Sequence, residues 1–230
     1  MTAWHDSRAP PDSLVSLARS KVPRDREIAA DSLSQYAHPN TLNLLYELAR
    51  DPKAGVQISA LHSLAHVFSH GAKELEKYQE NAAAVVAEKL NNSDKMVRWH
   101  AANVARHFIH YHSVVEGLQH AFLTEPKAKT QRDRRNTPMH NILDALSVAE
   151  GDDKEYAARK IIETQILIAG PEFLMTRAFK ALAQLNPTAA LIHANAHLHD
   201  QYDSQVYGST SRTHAQRPGV GSGRKCILCP

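Results

Sequence analysis

Apolar residues recur through most of this chain at spacings of three and four, which is the period of one face of an α-helix. The period is clearest after Asp94, where the residues on one side of a helical wheel are Val97, Ala101, Ala102, Ala105, Phe108 and Ile109. Asp94 suits the N-cap of this helix, because its carboxylate can accept hydrogen bonds from the first free backbone amides. The small alanines would let a second helix approach closely.

The pattern returns elsewhere in the chain at a regular distance. Val56 and Ala60 match Val97 and Ala101, a separation of 41 residues. This value lies within the roughly 40 to 47 residues of repeats that contain two or three helices. A period of this length predicts paired helices that stack side by side.

The motif Asp-x-x-Val-Arg-x-x-Ala-Ala resembles the second helix of a HEAT repeat, and its first three fixed residues here are Asp94, Val97 and Arg98. The resemblance implies an all-α fold, a right-handed α-solenoid of about five HEAT-like helical pairs. Only 9 glycines and 6% aromatic residues agree with helices that pack through small aliphatic side chains.

The composition along the chain predicts three segments. Residues 1–11 form a flexible N-terminal arm, and residues 12–199 form the HEAT-like solenoid. Residues 200–230 turn to Ser, Thr, Gly, Gln and Pro without an apolar period. A segment that buries so little apolar surface is expected to be a disordered tail.

Location follows from what the chain does not contain. No apolar run approaches the roughly 18 residues that a membrane span needs. The N-terminus has no apolar core of a secretory signal, and the two cysteines lie at the extreme C-terminus, so we expect a cytoplasmic protein. The net charge of +3 neither requires nor excludes a polyanionic partner.

A polar groove is the best candidate for a binding site. On the wheel, His62 and His66 lie opposite the apolar face, and the outer arc of the following repeat carries Trp99, Asn103, Arg106, His107 and His110. The 41-residue period predicts Asn103 beside His62 and His107 beside His66. The resemblance places second helices on the concave surface, where an exposed Trp99 would anchor a partner. The alternative is a solvated face on which Trp99 only covers a neighbouring helix.

A basic loop is the second candidate for binding. It carries Lys127, Lys129, Arg132, Arg134 and Arg135. These cations could contact phosphates or an acidic partner. Solvated charge on a loop is the commoner explanation for such residues.

Metal binding has only weak candidates. Cys226 and Cys229 have the C-x-x-C spacing, but a single pair is half of a zinc site. His193 and His197 are separated by four residues, as are several other histidines in a chain that contains 15. We therefore predict no metal site and no cofactor.

The function predicted from these features is a non-enzymatic scaffold or adaptor that binds a protein partner in its groove. No catalytic residue is predicted, because no nucleophile, nucleotide or metal motif occurs. Two alternatives stay open: a DNA-binding enzyme similar to the HEAT-like alkylpurine DNA glycosylases, and a HEAT-type lyase or chaperone subunit. A nucleic-acid partner is less favoured than a protein partner. The glycosylases rely on several tryptophans and an acidic residue in the groove, whereas the arc from Trp99 to His110 has one tryptophan and no acidic residue.

Overall fold

A computed structural model of the chain describes residues 8–69, 73–125, 138–163 and 172–196. These residues are helical or connect helices, and no β-strand occurs among them. The predicted basic loop and the predicted disordered tail lie outside the described ranges. The chain divides into two compact units, residues 1–190 and 191–230, and the helix pairs considered below belong to the first.

Among the described residues of the first unit, ten α-helices follow one another as five pairs. The first helices of the pairs are α1 (Asp12–Ala18), α3 (Pro39–Leu48), α5 (Gln79–Leu90), α7 (His112–Thr124) and α9 (Gly151–Glu163). The second helices are α2 (Pro23–Leu33), α4 (Ala54–Ser69), α6 (Lys95–Ala105), α8 (Met139–Leu146) and α10 (Glu172–Leu185). Two 3₁₀ segments, Lys73–Tyr78 and Arg106–Phe108, precede α5 and follow α6, and a last helical stretch covers 187–196.

The positions where helices begin are explained by residues that either accept hydrogen bonds from the first backbone amides or, like proline, have no amide N–H. The predicted N-cap is confirmed, because the carboxylate of Asp94 accepts from the backbone amides of Met96 (2.7 Å) and Val97 (3.2 Å). Pro23 and Pro39 occupy the first helical position, where the missing N–H leaves no hydrogen bond unmade.

The core lies between the helices of each pair and between successive pairs. The predicted apolar face of α6 is confirmed as buried, with Val97, Ala101, Ala102 and Ala105 fully covered, and Phe108 in the following 3₁₀ segment is buried as well. The second helices pack in chain order, α2 on α4, α4 on α6, α6 on α8 and α8 on α10. A continuous layer of second helices therefore presents one side to the core and leaves the other available.

In α2, α4 and α6, the fourth residue of the helix carries a side chain that bonds to the next helix pair. The guanidinium of Arg26 donates to both carboxylate oxygens of Asp51, at 2.6 and 3.0 Å, and to the carbonyl of Ser20 at 2.8 Å. Burial raises the pKa of Asp51, but the hydrogen bonds from Arg26 and from the backbone amide of Lys53, together with the charges of both residues, lower this pKa overall. The carboxylate is therefore held in its charged form.

The same connection recurs 72 positions later in the chain with Arg98 in place of Arg26. Its guanidinium donates to both carboxylate oxygens of Glu125, at 2.8 and 3.0 Å, and to the carbonyl of Asn92 at 2.8 Å. The carboxylate of Glu125 is only 3% exposed. Arg98 thus ties the turn before α6 to the end of α7.

Between these two arginines, Gln57 makes the equivalent connection without a charge. Its side-chain amide donates to the carbonyl of Asp51 at 2.6 Å, and its side-chain oxygen accepts from Asn92 at 3.0 Å. Asp51 and Asn92 each take part in two of these connections. Arg26, Asp51, Gln57, Asn92, Arg98 and Glu125 therefore form a continuous polar relay across four helix pairs.

Removal of one arginine of the polar relay should be costly. Arg98→Ala leaves the Glu125 carboxylate buried without its cation, so we expect a loss of about 3 kcal/mol in the free energy of unfolding. Arg50→Ala is the matched control, because the Arg50–Glu88 pair is exposed and should contribute less than about 1 kcal/mol. Urea denaturation measures both, and equal losses would contradict the role assigned to the polar relay.

Candidate functional site: a polar face on the second helices

Trp99 is half-buried rather than exposed, contrary to the prediction for its groove position. Its indole meets the ring of His100 edge to face, with ring centroids 4.7 Å apart. The side-chain amide of Asn141 on α8 donates to the carbonyl of Trp99 at 3.0 Å. Because α6 packs against α4 on one side and α8 on the other, only a narrow strip of α6 stays accessible.

Side-chain hydrogen bonds join α4 to α6 in a register that differs from the predicted one. His62 Nε2 lies 2.7 Å from His100 Nδ1, so His62 bonds to His100 and not to Asn103. Ser69 Oγ lies 2.9 Å from His107 Nδ1, where the prediction placed His66. The offset is three residues, about 4.5 Å along the helix axis. This offset results from the axial shift of α6 relative to α4, which the repeat period of the sequence does not predict.

The predicted arc from Trp99 to His110 is interrupted. Helix α6 ends at Ala105, and a 3₁₀ turn over Arg106–Phe108 follows. The tighter turn brings Phe108 into the core, with its ring 5.7 Å from that of Phe68. Arg106 and His107 stay exposed beyond the helix end, while the ring of His110 lies 4.3 Å from that of Tyr111.

A pocket of about 480 Å³ lies where the residue after α6, the end of α8 and the side chains of α10 from Arg177 to Gln184 meet. Its polar lining residues are Arg106, Asp144, Ser147, Arg177, Lys180 and Gln184. Three cations therefore surround one carboxylate, and Arg177 is ion-paired with Asp144. This basic pocket was not predicted from the sequence, although Arg177 and Lys180 have the spacing of one helix face. The repeat pattern is too weak after α6 to place α10 beside Arg106.

Three histidines on this face, His62, His100 and His140, have pKa values below that of a free imidazole. Burial lowers the pKa of His62, with the charge of Asp31 opposing the shift. Burial first, and then the charge of His62, lowers the pKa of His100. More than a third of His62 is exposed, but its bonded nitrogen faces His100 instead of water. On α8, burial and then the charge of Arg177 lower the pKa of His140.

The remaining predicted site residues are dispersed. His66 is exposed on α4, Asn103 is half-buried on α6, and His193 lies in the second compact unit. Residues outside the described ranges are Lys127, Lys129, Arg132, Arg134, Arg135, His197, Cys226 and Cys229. Within the described ranges, no three His, Cys, Asp or Glu side chains converge to form a metal site. Nor does any helix in those ranges have the length and apolar character of a membrane span.

Comparison with known proteins supports the fold only. No family model and no curated protein matches the chain. A crystal structure of an engineered protein, a Northeast Structural Genomics Consortium target, superposes with a TM-score of 0.56 at 16% identity over 86% of this chain and 89% of its own. A second engineered target gives 0.54 at 18% identity over 82% of this chain and 50% of its own. The likeness agrees with an all-helical, repeat-like fold.

The paired histidines predict a pH-dependent stability. A histidine whose folded pKa is lowered stays neutral while the unfolded chain takes up protons. Its contribution to the free energy of unfolding is therefore fully present above pH 6.5, the ordinary pKa of histidine. That contribution is lost as the pH falls from 6.5 to the lowered pKa of the folded state. We expect His62→Gln/His100→Gln to lose less stability than the wild type between about pH 7.5 and 5.5.

Thermal unfolding at the two pH values measures this difference. His66→Gln serves as the control, since it removes an exposed histidine from the same helix. His112 acts in the opposite direction, because its hydrogen bond to Asp153 raises its pKa, but it is unchanged in all three proteins. An identical pH response of the double variant and the wild type would refute the assignment.

Proposed function

We propose that this chain is a non-enzymatic, HEAT-like interaction module of the cytoplasm that binds a protein partner on the exposed side of its second helices. In this proposal the helix pairs form a right-handed solenoid, and α4, α6 and α8 line its concave surface. The observation that carries the proposal is the cross-linking of this face by side-chain hydrogen bonds. The bonds of His62 with His100 and of Trp99 with Asn141 connect three successive second helices, α4, α6 and α8.

Cross-linking matters because a rigid surface loses little conformational entropy when a partner binds. Trp99 is held with part of its indole accessible and its carbonyl already bonded. Met96, one turn earlier on α6, is 45% exposed. A half-buried tryptophan beside an exposed methionine offers apolar area at the centre of a polar rim, which is the make-up of a protein interface.

The polar rim supplies specificity around that centre. Asn103 follows Trp99 one turn later on α6, and Arg106 lies just beyond the end of that helix. A partner that places an apolar side chain against Trp99 could bond to both through its own polar groups. Such a surface needs no catalytic group, and the proposal assigns none.

A DNA-binding enzyme similar to the alkylpurine glycosylases is the second candidate, and one observation favours it. That family relies on tryptophans and an acidic residue in its groove, and Asp144 lies in the basic pocket at the end of the face that carries Trp99. Against this candidate, Asp144 is paired with Arg177 and is not free to act on a base. Tight duplex binding with release of alkylated bases would favour the enzyme over the scaffold. A lyase or chaperone subunit has no observation of its own in support.

The scaffold proposal predicts that Trp99→Ala weakens binding of the protein partner by about 2 kcal/mol or more, because the indole anchors the interface. Partners would be isolated by affinity capture with and without nuclease, and the purified partner titrated by calorimetry. Tyr156→Ala on α9 is the matched control, since it truncates an aromatic side chain that is 38% exposed on a first helix. Similar affinities for the wild type and Trp99→Ala would exclude this face as the binding surface.

A further inference from the structure

The basic pocket has a charge that its own residues leave unbalanced. Arg106, Arg177 and Lys180 contribute three positive charges, and Asp144 contributes one negative charge. Among the described residues, Arg106 and Lys180 form no ion pair. The residues that line the pocket therefore carry a net charge of +2, which favours an anionic ligand.

Arg177 is oriented for such a ligand by the residue that it already binds. One terminal nitrogen of its guanidinium donates to Asp144. A guanidinium has five N–H donors in a fixed plane, so one ion pair fixes its direction and leaves capacity for a second carboxylate. The side-chain amide of Gln184 lines the same pocket and adds a neutral donor.

Charge changes sign along the exposed side of the second helices. At the α2 end lies Asp31, which is exposed and close enough to influence His62, while the nearby Glu27 is balanced by its ion pair with Arg24 at 2.9 Å. At the α10 end lie Arg177 and Lys180. A long polyanion laid along this face would be repelled at α2, whereas a short acidic segment could remain in the basic pocket.

We propose that the basic pocket binds a carboxylate-bearing segment of the protein partner, with Arg106, Arg177 and Lys180 as its ligands. The inference rests on the proposed function and adds the chemistry and direction of the partner. Its acidic end lies at α10, and its apolar anchor lies at Trp99. The volume of about 480 Å³ accommodates one or two acidic side chains.

The test uses a short fluorescent peptide with a block of glutamates, measured by anisotropy at low salt against the full chain. Arg106→Ala/Lys180→Ala should weaken its binding about tenfold, because two of the three ligands are lost. Asp144→Asn should tighten binding, because it removes the competing carboxylate. Opposite effects of these variants could not arise from a general loss of folding.

The matched control is Lys154→Ala/Arg159→Ala on α9, which removes the same charge from two exposed positions outside the pocket. We expect it to change affinity less than about twofold. If both double variants weakened peptide binding equally, the net charge of the protein would explain the effect, and the inference would be overturned. Equal binding of a peptide with glutamines in place of the glutamates would overturn it as well.

A short DNA duplex is the second probe. Duplex binding that is tighter than peptide binding and is lost in Arg106→Ala/Lys180→Ala would assign the pocket to nucleic acid and overturn the peptide inference. Failure here is distinguishable from failure of the scaffold proposal. A protein partner that loses affinity with Trp99→Ala, but not with Arg106→Ala/Lys180→Ala, would keep the scaffold and remove the acidic segment.

Discussion

The polar relay is the constraint on which the arrangement of helix pairs depends. In a turn between two packed helices, some backbone carbonyls are partly buried and lack a partner within a helix. Leaving such a carbonyl without a hydrogen bond lowers the stability of the fold. Arg26, Gln57 and Arg98 satisfy these carbonyls from within the following helix and use their remaining groups to bind the end of the next first helix. One side chain thus both closes a turn and positions the next pair. Burial of the aliphatic face stabilises the helices without fixing how one pair is placed against the next.

The relay also explains why a polar surface extends across several helices. It acts at the N-terminal ends of α2, α4 and α6, so these helices start at similar levels and their exposed sides lie next to one another. His62 and His100 can then bond at 2.7 Å although they are 38 residues apart. Ser69 and His107 have the same separation. Two bonds with one separation indicate that α4 and α6 keep a constant stagger along their contact.

How much could be predicted from the sequence depends on whether a feature is local. The buried face of α6 and the Asp94 cap were predicted correctly, because both follow from residues within about two turns of helix. The stagger between α4 and α6, the half-buried state of Trp99 and the end of α6 at Ala105 were not, since each depends on a neighbouring helix. The basic pocket is the extreme case: Asp144 and Arg177 are 33 residues apart, with no repeat motif to align them.

The polar relay lies at the N-terminal ends of α2, α4 and α6, whereas the basic pocket is lined from α8, α10 and the residue that follows α6, and this separates stability from binding. At the N-terminal ends the side chains are largely buried, and Gln57 can replace an arginine because it also donates to a carbonyl and binds the next pair. Arg106 is exposed at the C-cap of α6, near carbonyl groups whose partial negative charge favours a cation, and Lys180 is exposed on α10. Substitutions in the basic pocket therefore change the charge offered to a ligand while the polar relay stays intact. A repeat fold built in this way can change its ligand without changing how its helices pack.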